Sequence, residues 1–146
     1  MAEDIVYRLK ADVSREALNA LYGASWPAHE EQDLSPVLER SLTHVCAYHS
    51  ELLVGFVYLA WDGGQHAFLL DPTVHPAYRH KGIGTELVRQ ATTAAREAGC
   101  EWLHVDYEAE LAPFYERCGF TSTSAGVIEL GGARQTRLQR RLDARR

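Results

Sequence analysis

The amino-acid sequence predicts an α/β (α+β) fold built on a mixed β-sheet, and three observations carry that expectation. Strand-like, helix-like and strand-like patterns follow one another around Gly82 to Gly99, a βαβ unit that sets two strands parallel. Ahead of it lie β-rich runs broken by short polar turns, the mark of antiparallel neighbours. Apolar residues form 46% of the 146 and charged ones 24%, enough to bury one sizeable core. The expected organisation is a single domain over residues 1–133 and a basic C-terminal tail, 134–146, that reads as a last strand or as disordered chain.

Taken in order, "IVYRLKAD" alternates like a first strand, and Ser14 can cap a helix whose Ala17, Leu18, Leu21 and Tyr22 share one face. Ser35-Pro36 is the N-cap and first-turn pair of a second short helix running to about Leu42. The loop between them, "SWPAHEEQD", holds three carboxylates, Glu30, Glu31 and Asp33, and an exposed Trp26. "HVCAYH" and "ELLVGFVYLAW" are strands joined by a tight hairpin at Ser50-Glu51. "DGGQ" is a turn, and "HAFLLDPTV" the next strand. The helix that opens at Gly82 to Thr85 puts Leu87, Ala91, Ala94, Ala95 and Ala98 on one face and Glu86, Arg89, Gln90, Thr93, Arg96 and Glu97 on the other. Gly99 stops it. "EWLHVDY" is then a strand, "AELAPFYERC" a short helix, and "GFTSTSAGVIEL" one strand or two.

Composition narrows the function classes. No apolar run approaches the roughly 18 residues that span a bilayer, and "MAEDIVYRLK" is acidic where a signal peptide is basic and then apolar. A soluble cytoplasmic protein without a membrane partner is expected. Three scattered cysteines, Cys46, Cys100 and Cys118, fit a reducing compartment and read as small buried hydrophobes. The formal charge of −5 hides an asymmetry: residues 134–146 carry six arginines and one acid, so nine basic and nineteen acidic groups leave the rest at −10. An acidic body repels nucleic acid and attracts amines. Seven histidines invite a metal, yet "HEEQD" lacks the second histidine of a zinc helix and no Cys-x-x-Cys exists, so no metal site is expected.

The stretch "VHPAYRHKGIGTELV" carries the chemistry. A strand ending at Val74, a basic run Arg79-His80-Lys81, two glycines and a helix N-terminus make an anion site, because free N–H groups converge there and the helix dipole adds about half a positive charge. Side chains at Gly82 or Gly84 would keep a phosphate oxygen from the amides. A pyrophosphate is the natural occupant. A dinucleotide fingerprint would need a third glycine where Leu87 stands, and Gly84-Thr85-Glu86 does not complete a Walker loop.

Arg79-x-x-Gly82-x-Gly84, preceded by Val74-x-Pro76 and followed by Phe114-Tyr115-x-x-x-Gly119-Phe120, resembles the GCN5-related N-acetyltransferase (GNAT) superfamily, with both motifs in the family's order and at its spacing. The resemblance covers roughly Phe68 to Phe120 at motif level. It implies a central mixed sheet splayed between a fourth strand, about His66 to Val74, and a fifth, about Trp102 to Tyr107, with about four flanking helices. It also implies acetyl-CoA as co-substrate: its pyrophosphate on the Gly82, Ile83, Gly84 and Thr85 amides, its pantetheine paired near Val74, and Tyr115 protonating the departing thiolate. The activity implied is transfer of an acetyl group to a primary amine by direct attack in a ternary complex; the rival is a non-catalytic acyl-CoA-binding sensor. Dimers are common in the family, which leaves a homodimer open.

The proton acceptor is less clearly marked. Several family members carry a glutamate on the fourth strand where Phe68 stands here. His66 lies two residues earlier on the same strand face, His104 shares a face with Trp102 and Asp106, and Asp71 faces the other way unless a bulge intervenes, which the family often has. Each competes with an ordinary structural role. For the acceptor, small-molecule or protein amine, Glu30, Glu31 and Asp33 with Trp26 and Tyr22 nearby in sequence suit a cation with an apolar portion. Glu108 stands where the family often has an asparagine, so Asp106 and Glu108 could face the acceptor.

Overall fold

The computed structural model describes residues 4–131, and the chain divides into two compact units, Met1–Val105 and Asp106–Arg146. The first holds β1 (Ile5–Leu9), α1 (Arg15–Ser25), α2 (Ser35–Arg40), β2 (Thr43–His49), β3 (Leu52–Trp61), β4 (His66–Val74), a 3₁₀ turn (Pro76–Tyr78), α3 (Ile83–Glu97) and β5 (Trp102–Val105). The strands lie side by side in the order β1-β2-β3-β4-β5. The first three junctions are antiparallel, made by short connections, and β4 to β5 is parallel, crossed by α3 as the βαβ pattern requires.

The sheet buries both faces. Against one, α1 brings Leu18, Leu21 and Tyr22 onto Cys46, Leu53 and Phe56, with Leu34 closing the edge. Ser14 caps α1 as its position predicts, its Oγ accepting from Ala17 N–H at 3.0 Å. Against the other, α3 buries Ile83, Leu87, Val88, Ala91 and Ala95. Ala98, expected on that face, is exposed because it already caps the helix. Truncating Leu87 to Ala would cost about 2–5 kcal/mol. At Gly55 a β-carbon would stand 3.0 Å from Leu87 Cδ1, 3.1 Å from Ile83 Cγ2 and 3.2 Å from Ala47 Cβ, so the absence of a side chain is what lets α3 settle on β3.

In the second unit a 3₁₀ turn (Ala109–Leu111) leads into α4 (Ala112–Arg117). Gly119 leaves α4 at φ 103°, its N–H donating to Glu116 O and that of Phe120 to Tyr115 O, both at 3.0 Å. This is a Schellman cap, closed by the edge-on contact of Phe120 with Tyr115. The spacing Phe114-Tyr115-x-x-x-Gly119-Phe120 is thus a helix-stop device that also fixes Tyr115.

Several expectations are corrected. Ser35 is the first residue of α2 rather than its N-cap: Leu34 caps it without a side-chain bond, and the Ser35 N–H is held by Asp33 Oδ1 at 3.0 Å. That helix ends at Arg40, not near Leu42, because Leu42 N–H is already committed to Leu59 O. β5 ends at Val105, short of Tyr107. "GFTSTSAGVIEL" forms no strand: no ladder partner exists for it among the described residues, and Val127, Ile128 and Leu130 stand exposed. The basic tail, 134–146, lies outside the described residues.

Candidate active site

The candidate anion cradle rests on local backbone geometry. After Val74 the chain makes a 3₁₀ turn in which His75 Nδ1 accepts from Ala77 N–H, then passes through His80 at φ 64° and Gly82 at φ 83°. Gly82 is the left-handed N-cap of α3; a β-carbon there would meet nothing within 4 Å, so it is the positive φ and not crowding that calls for glycine. The first intrahelical bond runs from Glu86 N–H to Gly82 O at 3.1 Å. The amides of Ile83, Gly84 and Thr85 therefore have no helical acceptor and are available to an anion. Arg79 folds back to donate from Nε to Val74 O at 3.2 Å, tying the cradle to the end of β4.

Beside it the sheet comes apart. β5 pairs with β4 only from His66 to Leu69, while β4 continues to Val74, so among the described residues Leu70 to Val74 have no ladder partner on that side. An extended amide-bearing ligand can pair with such an edge.

A bulge interrupts the β3–β4 ladder. Phe56 opposes Thr73 and Tyr58 opposes Leu70, so Asp71 and Pro72 together stand against Val57, with Asp71 at φ 52°. Strict alternation would send Asp71 to the α3 face. Burial raises the hydroxyls of Tyr22 and Tyr58, that of Tyr58 to about 12, and the charge of Asp71 adds to both. Within the described residues the Tyr22 hydroxyl is buried with no hydrogen-bond partner, a cost of about 1–3 kcal/mol. Tyr22 stands beside Trp26 in the sequence expectation for the acceptor, whereas Tyr58 does not figure in it; the available signal for Tyr58 is a tyrosine at a buried-face position of β3.

On the same face of β4 and β5, His66 Nδ1 lies 2.9 Å from His104 Nε2, and Phe68 stacks on His104 at 4.7 Å between centroids, with planes at 19°. Phe68 and Trp102 are 41% and 63% exposed, so this ring-lined surface is open. The two histidines meet as a strand-pair reading allows, but they are bonded to each other.

Trp26 is half-buried rather than exposed, stacked on Tyr22 at 4.5 Å, while His29 meets Tyr22 edge-on. Glu30, Glu31 and Asp33 are exposed, and Asp33 is spent on the turn into α2, a bond that lowers its carboxyl from the ordinary range. Lys81 has further interactions of its own. Among the described residues no three His, Cys, Asp or Glu side chains gather as a metal set, and no helix is long and apolar enough to cross a membrane.

In the second unit Tyr115 is buried between Tyr107, stacked at 4.7 Å, and the edges of Phe114 and Phe120. Burial, with Cys118 and Tyr107 adding to it, pushes its hydroxyl up to about 12, so it stays protonated at neutral pH. Glu108 caps the 3₁₀ turn through its main chain, its carbonyl accepting from Leu111 N–H at 2.9 Å; Asp106 is exposed.

A mixed sheet whose parallel fourth and fifth strands part beside an anion cradle at the N-terminus of the crossing helix defines a GNAT-type α/β domain. The chain belongs to the acetyltransferase (GNAT) family, whose family model matches residues 12–120. It is similar to the mycothiol acetyltransferase of Nocardia farcinica (strain IFM 10152), 36% identical over 104 residues, which is 70% of this chain and 34% of that protein. It is also similar to a probable glucosamine 6-phosphate N-acetyltransferase 2 of Oryza sativa subsp. japonica, 38% identical over 58 residues, or 40% of this chain and 35% of that protein. The chain thus spans about a third of the length of these curated relatives. Among solved structures, a GNAT family acetyltransferase from Streptococcus pneumoniae TIGR4 superposes with a TM-score of 0.75 at 25% identity, covering 88% of this chain and 98% of that one. An aminoglycoside N-acetyltransferase in complex with CoA shares the fold at a TM-score of 0.71 and 18% identity, covering 90% and 97%.

Proposed function

We propose that this chain is an acetyl-CoA-dependent N-acetyltransferase that moves an acetyl group to a primary amine by direct attack in a ternary complex. The observation that carries the reading is the parting of β5 from β4 after Leu69, which opens Leu70 to Val74 at the end of the strand that leads into the α3 amides. When bound, acetyl-CoA supplies the acetyl thioester. The amides of Ile83, Gly84 and Thr85 hold its pyrophosphate, Arg79, His80 and Lys81 add positive charge, and main-chain groups near Val74 pair with pantetheine and polarise the carbonyl.

Asp71 accepts a proton from the ammonium, which near neutral pH is the dominant form of an amine with a pKa of about 10. Tyr115 donates its hydroxyl proton to sulfur as the new nitrogen–carbon bond replaces the carbon–sulfur bond. His66 and His104 line the acceptor side with Trp26. Glu30, Glu31, Asp106 and Glu108 contribute negative potential that draws a cation in.

The test begins with the melting temperature of the protein with acetyl-CoA, dephospho-CoA and NAD. A ligand at a hundred times its Kd adds about 2.7 kcal/mol, several degrees for a domain of this size. The reading expects the largest shift with acetyl-CoA, thiol release with an amine, and a kcat at least about 10²-fold lower in Asp71→Asn with the acetyl-CoA shift retained. A larger shift with NAD, or no shift with acetyl-CoA, overturns it; binding without turnover on any amine makes the chain a sensor.

A further inference from the structure

We propose that the hydrogen bond between His49, at the end of β2, and Tyr78, in the 3₁₀ turn after β4, is a tether that holds the phosphate-binding loop ready for CoA. His49 and Tyr78 are thereby positioning residues, acting through the loop rather than on the reacting atoms. The inference rests on the acyl-CoA reading of the cradle and deepens it.

The path from β4 to α3 is short and bent. His75 leaves the strand with its N–H donating to Val54 O at 2.8 Å. An irregularity in β3 stands at that point: Ala47 opposes Gly55 and Tyr48 opposes Leu53, which leaves Val54 as the extra residue of a bulge against β2. His75 then closes the turn, its carbonyl accepting from Tyr78 N–H at 2.8 Å and its Nδ1 from Ala77 N–H at 3.1 Å. Four residues, Arg79 to Gly82, separate Tyr78 from the first residue of α3, and two of them, His80 and Gly82, are left-handed. A residue with a side chain, such as His80, stays in that region where its surroundings hold it there.

The Tyr78 side chain supplies such a hold. Its hydroxyl lies 2.7 Å from His49 Nδ1, across a separation of 29 residues. Its ring meets those of His49 and His75 edge-on, at 5.4 and 5.8 Å between centroids, and both Tyr78 and His49 are half-buried. His49 is two residues beyond Ala47 on β2, and so faces the side of the sheet where Ala47, Ile83 and Leu87 crowd Gly55. The turn before the cradle and the first turns of α3 after it are thus fastened to one region of the sheet. A loop ordered before the ligand arrives takes less of the binding energy for its own ordering. Loss of the tether should therefore weaken CoA binding.

The experiment titrates the full chain calorimetrically with CoA and with acetyl-CoA, in the unaltered protein and in Tyr78→Phe, His49→Leu, the double variant and His49→Asn. Tyr78→Phe keeps the ring and its edge contacts and removes only the hydroxyl, which separates the bond from the packing. The expected result is a Kd for both ligands about three- to tenfold higher in each single variant, the size of one lost hydrogen bond, and no further loss in the double variant. His49→Asn, whose amide can donate or accept near the Nδ1 position, should recover most of the affinity lost in His49→Leu. An unchanged Kd in Tyr78→Phe, losses that add in the double variant, or an Asn variant as weak as the Leu variant overturns the tether while leaving the CoA reading in place. No binding of either ligand to the unaltered protein removes both.

Discussion

Asn19 and Gln32, thirteen residues apart, exchange two hydrogen bonds: Gln32 N–H donates to Asn19 Oδ1 at 2.9 Å, and Asn19 Nδ2 donates to Gln32 O at 2.7 Å. The same Oδ1 lies 2.8 Å from His29 Nε2. One side chain on α1 therefore pins the loop that carries Trp26, His29, Glu30 and Glu31. Asn19→Ala should cost about 1 kcal/mol of stability and raise the acceptor KM several-fold while leaving the acetyl-CoA thermal shift in place. An unchanged acceptor KM, measured at saturating acetyl-CoA, would detach this loop from the acceptor site.

Tyr115 combines a buried hydroxyl with a raised pKa, and both states can be read. Its folded pKa of about 12 lies above the ordinary 10, so the unfolded chain loses its proton first as pH rises. The stability it confers is complete below pH 10 and is lost as pH climbs toward 12. Tyr115→Phe should flatten that alkaline loss in chemical denaturation and lower kcat roughly tenfold or more, with little effect on acetyl-CoA affinity. Full activity in Tyr115→Phe would leave it a packing residue only.

Glu86, in the first turn of α3, accepts from Arg89 Nε at 2.9 Å and from Gln90 Nε2 at 2.8 Å. The Arg89 bond, then the Gln90 bond, hold its carboxyl down at about 2 from an ordinary 4.5. A depressed carboxyl stabilises the fold above its unfolded pKa and stops doing so as pH falls through the folded one. Denaturant midpoints of Glu86→Gln should therefore fall less steeply than those of the unaltered protein between pH 4.5 and pH 2, with the two curves converging at the acid end; parallel curves would exclude the effect.

The thiols should separate by burial. Cys46 is buried, and burial pushes its thiol up to about 11, while Cys100 and Cys118 are only half-buried. An aromatic disulfide reagent should label Cys100 and Cys118 in the folded protein and reach Cys46 only on unfolding. Rapid labelling of all three would show that β2 opens readily.

How much of this is legible in the sequence differs by physical origin. α3 and the cradle are, because a left-handed Gly82 followed by a 3.6-residue apolar stripe is a local signature. So is α1, whose Ser14 cap and buried face are both local. Asp71 is legible only in part: Pro72 cannot donate to a ladder and so marks an irregularity, but which way the bulge turns the carboxylate depends on the β3 register, a property of two strands. Trp26 illustrates the converse, since a polar loop around a tryptophan reads as exposed until Asn19 folds it back on Tyr22. The segment after Gly119 has the composition of a strand without a partner to make it one, and a strand is a relationship rather than a composition. Glu30 and Glu31 carry charge whose use no local pattern reveals.

Gly55 is a position on β3 that touches no part of the proposed chemistry. Yet the two side chains that crowd its missing β-carbon, Ile83 and Leu87, belong to the first turns of α3. The height of that helix above the sheet, and with it the distance from the Ile83 to Thr85 amides to the open edge of β4, is gauged by one absent methyl group. A larger residue at 55 would act as a shim, lifting one half of a two-point clamp and mistuning it for a ligand of fixed length, so affinity for the nucleotide end is a quantity set partly from behind the sheet.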